Sequence, residues 1–487
     1  MHHGSTFVSL LLLSLFGFCL YANTFGNTWT YDDTYVILQN TDILSFKGFF
    51  ENTYPGRPLR ELSFMLDYAL FGRVPTGWHA QNILWHVLNA WLVFLLAKRL
   101  TAKPRVYWLA SLLFLTHPVQ VEVAAQTSHR KDSLCLFFIL LAVNLYLYYR
   151  DSRSRMALCG IVLSAPLGFL AKETALLLPL FILLHVGLFA ESTKVKKLFR
   201  PLLALLVLIG CGLGLYLWRD VSFLQRAESL LIGNGYVNGF DWAVYAKGVI
   251  NGWGFSLWQL LAPLNLSVNY FLPPPESWFS GPMLRAYFVL IPLAAGLALS
   301  LRRWPSLFFA LFWLCLFSLS TANLLPINFF AADRYLYIPS VGFCLLAALL
   351  IDRLIRPDWA HSVLLVALVL SLSVLTVRQN ATWLNNATLW TQSLKVNPES
   401  SRATSNVGSM VYGRDLNRNL QMQQRAVALN GQNPFAHYRL GLLYQRKGQR
   451  DNARKHLNES LRVFRPEAHA MYGRMISDIK ARLQTLD

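Results

Sequence analysis

The sequence predicts an all-α, polytopic membrane protein of about eleven transmembrane helices, followed by a C-terminal α-solenoid of short helical repeats. Three observations carry this. Of 487 residues, 54% are hydrophobic and only 14% charged, which is too apolar for a soluble chain of this length. Apolar stretches of membrane-crossing length recur along residues 1–377, separated by loops in which Lys and Arg cluster at alternate positions. From residue 378 the composition turns polar and rich in Gln, Asn and Arg, with helical periodicity. The chain therefore divides into a multi-spanning domain, 1–377, and a repeat domain, 378–487.

The first apolar run, 7–22, reads as a retained helix rather than a signal peptide. MHHGST lacks Lys or Arg, and Tyr21-Ala22-Asn23 is a poor small-residue cleavage site. Further spans are expected near 78–97, 106–126, 133–149, 156–171, 174–190, 201–218, 283–301, 306–325, 336–351 and 361–377. The basic clusters Lys98/Arg99/Lys103/Arg105, Arg150/Arg153/Arg155, Lys194/Lys196/Lys197/Arg200, Arg302/Arg303 and Arg353/Arg356 fall in alternate loops and assign those loops to the cytoplasm. They also account for the net charge of +19 without nucleic acid. The segment 242–262, with Asn251, Gly252, Gly254 and Gln259, fits that alternation only as a re-entrant or interfacial helix. An odd number of spans puts everything after residue 378 outside the cytoplasm. Six cysteines in apolar segments behave as small hydrophobes and give no metal-ligand spacing.

In the C-terminal region, Asn-Pro pairs at 397–398 and 433–434 lie 36 residues apart, close to the tetratricopeptide period of ~34. Leu440-Gly441, Tyr444, Gly448, Ala453, Leu457 and Leu461 match that pattern, with helices expected at 436–446 and 451–464 and, one unit earlier, at 401–412 and 418–429. Such repeats form a groove for a peptide, or simply cover the outer face. From Arg378 onward there are 17 Lys and Arg against 7 Asp and Glu, so the region suits anionic lipid headgroups or acidic partners.

Ionisable residues at membrane depth are functional candidates. Asp32 and Asp33 end the first helix, and the same outer loop carries Arg57 and Arg60. Only eleven apolar residues, 106–116, precede His117-Pro118, so "HPVQVEVAAQTSHRKD" must occupy the outer leaflet. That puts His117, Glu122, His129, Arg130 and Asp132 near the wall of an outward-open cavity. Lys172 and Glu173 lie at an outer helix end, and "DRYLYIPS" adds Asp333, Arg334 and Tyr335. A carboxylate tuned by its neighbour can take a proton from an attacking hydroxyl, and arginines can hold a phosphate in a bidentate fork. A lipid-phosphate-using transferase, a lipid or sugar transporter with proton-relaying residues, and a non-catalytic scaffold all remain open on these residues. Plainer roles are open too: Glu122 and Lys172 as ion-pair partners, His117 as a helix cap, Asp333-Arg334 as a local pair.

Tyr31-Asp32-Asp33 in the first outer loop resembles the acidic motif of the GT-C glycosyltransferases, multi-spanning enzymes that use polyprenyl-phosphate-linked sugars. Within them the chain most resembles the transmembrane and tetratricopeptide-repeat-containing O-mannosyltransferases. The likeness runs through "DDTYVILQNTD" (32–42), "GRPLRELSFMLDY" (56–68), "QNILWHVLNA" (81–90), "HPVQVEVA…HRKD" (117–132), "AKE" (171–173) and "RYLYIPSVGFCLL" (334–346). Two to three repeats stand here where animal members carry many. The resemblance implies transfer of mannose, with inversion, from a polyprenyl-phosphate donor to a hydroxyl of an extracytoplasmic protein Ser or Thr. Asp32 would be the general base and Asp33 would position the acceptor or tune Asp32. Arg57, His117, Arg130, Lys172 and Arg334 would hold the donor phosphate, with Glu122, Asp132, Glu173 and Tyr335 elsewhere in the cavity. Adjacent carboxylates fit either a divalent-metal-dependent or a metal-free reaction, and no cofactor is assigned. The compact repeat array suggests a bacterial inner-membrane protein with periplasmic repeats; the alternative is the endoplasmic reticulum membrane with lumenal repeats.

Overall fold

The computed structural model describes residues 2–51, 57–189, 221–236, 239–301, 303–464 and 468–486, and all regular structure among them is helical. The N-terminal part comprises α1 (His2–Leu20), α2 (Phe46–Phe50), α3 (Pro58–Phe71), α4 (Pro75–Thr101), α5 (Pro104–Thr116), α6 (Val121–Ala125), α7 (Arg130–Ser152), α8 (Arg155–Ala171) and α9 (Leu177–Phe189). After the undescribed stretch come α10 (Val221–Gly233), α11 (Trp242–Leu261), α12 (Gly281–Ser300), α13 (Pro305–Leu319), α14 (Ser340–Leu354) and α15 (Asp358–Thr382). The expected span 201–218 and the cluster Lys194/Lys196/Lys197/Arg200 lie outside the described residues.

Proline sets the start of α3, α4, α5 and α13, where its missing N–H costs nothing, and Ala102 and Arg153 close α4 and α7 in the left-handed conformation. Four helices among the described residues are long and apolar enough to cross a membrane: Pro75–Thr101, Thr127–Ser152, Gly281–Ser300 and Asp358–Thr382. A fifth span results if Pro104–Thr116 and Pro118–Ala125 count together across a 50° bend. The break falls at His117-Pro118, where the apolar run ends. Shorter apolar helices occur at Thr6–Leu20, Arg155–Ala171, Glu173–Val186 and Pro305–Leu319. One buried core joins α1, α4, α5, α7, α9, α13 and α14, including Trp313, whose ring meets those of Phe181 and Phe317 at 5.3 and 4.7 Å. Between helices in lipid such close packing replaces the hydrophobic effect as the source of cohesion.

The basic loops converge at one end of this bundle. Lys103 and Arg105 pair with Asp352 at 2.8 and 2.6 Å, Arg105 also reaches Asp358 at 2.7 Å, Arg99 lies 5.2 Å from the ring of Tyr148, and Arg353 lies 4.6 Å from that of Trp304. Loops separated by up to 250 residues in sequence thus share one side, as the alternation of charge requires.

Segment 242–262 is a continuous 20-residue helix, α11, capped by Asp241, whose Oδ1 accepts from the Val244 N–H at 2.8 Å. Its glycines permit contact: a Cβ on Gly252 would stand 2.8 Å from the carbonyl oxygen of Phe330, and one on Gly254 would collide with the Cβ of Ala286.

Beyond α15 the chain forms α16 (Asn386–Val396), α17 (Ser401–Met410), α18 (Leu416–Leu429), α19 (Pro434–Arg446), α20 (Arg450–Val463) and α21 (Ala468–Leu486). Asn385, Ser400, Asp415 and Asn433 each cap the following helix through a side-chain oxygen. Helix α17 packs on α18 and α19 on α20, and at the second pair Gly441 sits where a Cβ would lie 2.6 Å from Leu457.

Candidate functional site

At the end of the bundle opposite the basic loops, the chain leaving α1 turns through Tyr31, whose backbone is left-handed (φ 52°). For a bulky residue that conformation costs about 1–2 kcal/mol and needs outside support. The support comes from far along the chain. Tyr31 N–H donates to Asn386 Oδ1 at 2.9 Å, its ring meets Trp390 at 5.9 Å, and Arg402 Nη2 donates to its hydroxyl at 3.3 Å. Thr28 adds backbone and hydroxyl donations to the Leu384 carbonyl at 2.9 and 3.1 Å.

This turn sends the two adjacent carboxylates to different surroundings. Asp33 is fully buried, accepting from the Ser128 N–H at 2.8 Å and the Thr30 N–H at 3.3 Å. Burial pushes its carboxyl up to about 7, against the pull of those two N–H groups, and the charge of Asp32 adds to the rise. Asp32 is half-buried, and among the described residues its carboxylate makes no hydrogen bond or ion pair. Its charge is felt by Arg334 and His129.

Behind Asp32 runs a chain of ionisable side chains. Arg334 Nη1 meets Glu122 Oε1 at 2.5 Å, and the Arg334 backbone N–H donates to Oε2 at 2.9 Å. His129, 1% exposed, stands 3.6 Å from Glu122 and 3.9 Å from Asp132. Asp132 in turn pairs with Lys172 at 2.6 Å. Arg334 and Lys172 end this chain, both only partly buried, and together with Asp132, Tyr335, Pro339, Ser320 and Thr321 they line a small cleft. The ring of Tyr335 lies 5.1 Å under the Arg334 guanidinium. Arg57 pairs with Glu173 at 3.4 Å, both exposed to solvent. Asp333 and Arg334 do not pair with each other. Asp333 is buried and accepts from the Tyr270 hydroxyl at 2.6 Å, and burial, reinforced by the charge of Glu122, pushes its carboxyl well up.

The structure thus gathers Asp32, Asp33, Glu122, Asp132, Lys172, Arg334 and Tyr335 at one place, with Arg57 and Glu173 at the rim. His117 and Arg130 stand apart from the cleft. His117 is buried and caps the break after α5, Nδ1 accepting from the Val119 N–H at 3.3 Å while Nε2 lies 3.0 Å from the Leu260 carbonyl. Arg130 is buried among Phe64 and Trp78, pairs with Asp67 at 2.5 Å and donates to Asn82 Oδ1 at 2.7 Å and the Trp78 carbonyl at 3.1 Å. It ties α3, α4 and α7 together. The next residue, Lys131, is different. It lies in the electrostatic field of Asp132, Arg57, Arg60 and Lys172, away from the partners of Arg130. The 100° rotation per helical residue separates the two neighbours, a signal that the HRKD stretch carries but that charge type alone hides. Arg60 itself is buried and ion-paired to Glu61, which also accepts from Asn40 at 2.7 Å.

Beneath the cleft, buried polar groups lock three segments together. His86 Nδ1 lies 2.9 Å from the Tyr337 hydroxyl, which also accepts from Asn89 at 3.2 Å, and His86 Nε2 lies 3.3 Å from the Tyr21 hydroxyl. Buried networks satisfied in this way fix one geometry. No group of three or more His, Cys, Asp or Glu among the described residues is arranged to hold a metal ion.

The family model of dolichyl-phosphate-mannose-protein mannosyltransferases matches residues 58–216. Protein O-mannosyl-transferase F38B6.6 of Caenorhabditis elegans is 25% identical over 85% of this chain and 61% of its own length. The chain resembles the protein O-mannosyltransferases. Tmtc1 of Drosophila melanogaster, at 26% identity, covers 82% of this chain and 58% of itself, and TMTC3 of Mus musculus, at 25%, covers 89% and 52%. The chain therefore spans between about half and three-fifths of the length of the O-mannosyltransferases it matches. No solved structure matches. His117, Glu122, Arg130, Asp132, Lys172 and Glu173 fall inside the mannosyltransferase segment, whereas Asp32, Asp33, Arg57, Arg334 and Tyr335 lie outside it. With its apolar helices, the likeness makes the chain a multi-pass integral membrane protein.

Proposed function

We propose that the chain is a membrane glycosyltransferase that moves mannose from a polyprenyl-phosphate donor to a Ser or Thr hydroxyl of an extracytoplasmic protein. The observation that carries the reading is the division of labour between adjacent carboxylates. Asp33 is sealed in and hydrogen-bonded, while Asp32 makes no hydrogen bond or ion pair among the described residues and lies in the field of Arg334, a cation that lines the cleft.

In this reading the acceptor oxygen attacks the anomeric carbon, the bond from that carbon to the phosphate oxygen breaks, and the phosphate departs with the bonding electrons. Asp32 takes the hydroxyl proton as attack proceeds. One displacement inverts the anomeric centre. Arg334, Lys172, Arg57 and Lys131 take up the charge gathering on the phosphate, the electrostatic share of the barrier. Glu122 and Asp132 hold Arg334 and Lys172 in place beforehand, so no reorganisation is needed when the charge arrives. Arg130 and His117 support the reaction through the walls they brace.

The same reading takes the bundle as the eleven-span, GT-C-type domain 1–377 and the later helices as an extracytoplasmic tetratricopeptide array, 378–487, that receives the acceptor. Pairs of helices at the expected period and the small residue Gly441 support the array. The test is transfer of radiolabel from polyprenyl-phosphate-mannose to secreted proteins, with wild type and Asp32→Asn in matched membranes. Label on protein with wild type alone supports the reading; equal labelling by both removes Asp32 as the base, and labelling by neither removes the donor or the transferase itself.

A further inference from the structure

Beside the candidate base lies a second cationic surface, built by the C-terminal helices and adjoining the phosphate rim at Phe329, over whose ring Arg334 and Arg402 both stand, at 5.3 and 5.2 Å. Arg402 and Asn406 are four residues apart on α17 and share one helical face. Arg439, on α19, crosses to that face and donates to Ser405 Oγ at 2.8 Å and to Asn406 Oδ1 at 2.9 Å. The exposed Arg402 guanidinium stands over Phe329, Tyr31 and Trp390 at 5.2, 5.7 and 5.8 Å. Arg439 also lies within electrostatic reach of Arg402 and of Tyr35, three residues past Asp32. The strip therefore runs continuously from the candidate base to the second helical pair.

Its charge is uncompensated. Among the described residues neither guanidinium meets a carboxylate; their hydrogen-bond partners are a phenol, a hydroxyl and an amide. Two cations held side by side repel, and rigid aromatic and amide contacts keep them there. The arrangement suits an anion that arrives with the substrate. The donor phosphate already has its own cations in Lys172 and Arg334, which line the cleft, whereas Arg402 and Arg439 do not. An extended polypeptide lying on the strip would meet guanidiniums for its carboxylates and the Asn406 amide for its backbone.

We propose that Arg402 and Arg439 form an acceptor-binding strip that selects polypeptide segments with acidic residues beside the target Ser or Thr. This rests on the reading of the chain as a transferase to protein hydroxyls, and it names the acceptor's chemistry.

The test is direct binding by the full-length protein in detergent. Three fluorescein-labelled peptides share one central Thr, flanked by Asp and Glu in the first, by Asn and Gln in the second and by Lys in the third. The acidic peptide is expected to bind about tenfold more tightly than the neutral one at low salt, and the basic peptide most weakly. The Arg402→Gln/Arg439→Gln pair should abolish the preference, and Arg402→Lys/Arg439→Lys should keep most of it. Binding is measured without any sugar donor, so the readout is independent of turnover. Equal binding of acidic and neutral peptides by wild type overturns the proposal. So does a preference that survives the Gln pair, or one that the charge-retaining Lys pair also loses. In nanodiscs, displacement of the acidic peptide by anionic lipid would assign the strip to the membrane surface and overturn it too. An acidic preference without any sugar transfer would leave the strip standing and remove the transferase reading instead.

Discussion

Asn386 accepts a hydrogen bond from the backbone N–H of Tyr31, 355 residues earlier in the chain, and so holds the residue before Asp32 in a left-handed turn. The acidic loop and the first helices of the C-terminal region are one packed unit. Replacing Asn386 by Ala strips the N–H of its acceptor, at a cost of about 1–3 kcal/mol. The expected outcome is a fall in kcat larger than any rise in donor KM, with helical content kept. Asn386→Asp, which retains the acceptor oxygen, should recover most of the rate. Steady-state kinetics with both variants checks this.

Lys131 and Arg130 should respond in opposite ways. Lys131→Met is expected to raise donor KM with the melting temperature little changed, because it removes an amine from the field shared by Asp132, Arg57 and Lys172 without breaking an ion pair or emptying the core. Arg130→Met leaves Asp67 buried without its partner and should cost about 3–5 kcal/mol, read as lost expression or a lowered melting temperature. Donor titration and thermal unfolding, run on both, separate the roles.

Asp33 gives the protein a pH signature. Its carboxyl titrates near 7 in the fold and near 3.8 when unfolded, so the folded state binds the extra proton between those values. Its contribution is fully favourable below about 4 and is lost as pH rises through 7. Wild-type stability should therefore fall across pH 4–7, and Asp33→Asn, which cannot titrate, should flatten that slope. Thermal unfolding across this window is the measurement, and an equal slope in both proteins would remove Asp33 as its source.

Glu122→Gln keeps an acceptor for the Arg334 backbone but removes the charge facing its guanidinium, and should cost about 3 kcal/mol. Glu122→Leu combined with Arg334→Met should recover part of the stability while abolishing transfer. Denaturant melts and transfer assays on the same preparations test both halves.

The sequence showed the helical class, the alternating basic loops and the C-terminal helix pairs because each leaves a local mark: apolar runs, clustered charge, capping residues and a repeat period. It also placed the break at His117-Pro118, where an apolar stretch stops short. Helix α11 was harder to read. Its glycines and polar residues suggested a re-entrant segment, and the reason they are there, close approach to Phe330 and Ala286, lies in residues more than 30 positions away. The site was legible as a set of charges but not as pairs. Nothing local separates Asp32 from Asp33, since the group that seals Asp33 is Ser128, nor Arg130 from Lys131, which differ only in where a helix turns them. Asn386, Trp390 and Arg402 carried no local hint, because their partner is a residue in the first outer loop.

The dependence of Tyr31 on residues 384–402 also sets an order of events during synthesis. The first outer loop emerges early, yet the groups that bend it are made some 355 residues later, about 20–70 s at ordinary rates of translation. Until they arrive, the Ser128 and Thr30 N–H groups can hold Asp33, but the Tyr31 turn that presents Asp32 lacks its brace. The membrane-embedded part can insert and pack in that interval without a finished site, so, on the proposed reading, a ribosome-bound intermediate would not modify neighbouring secreted chains before residues 386–402 dock.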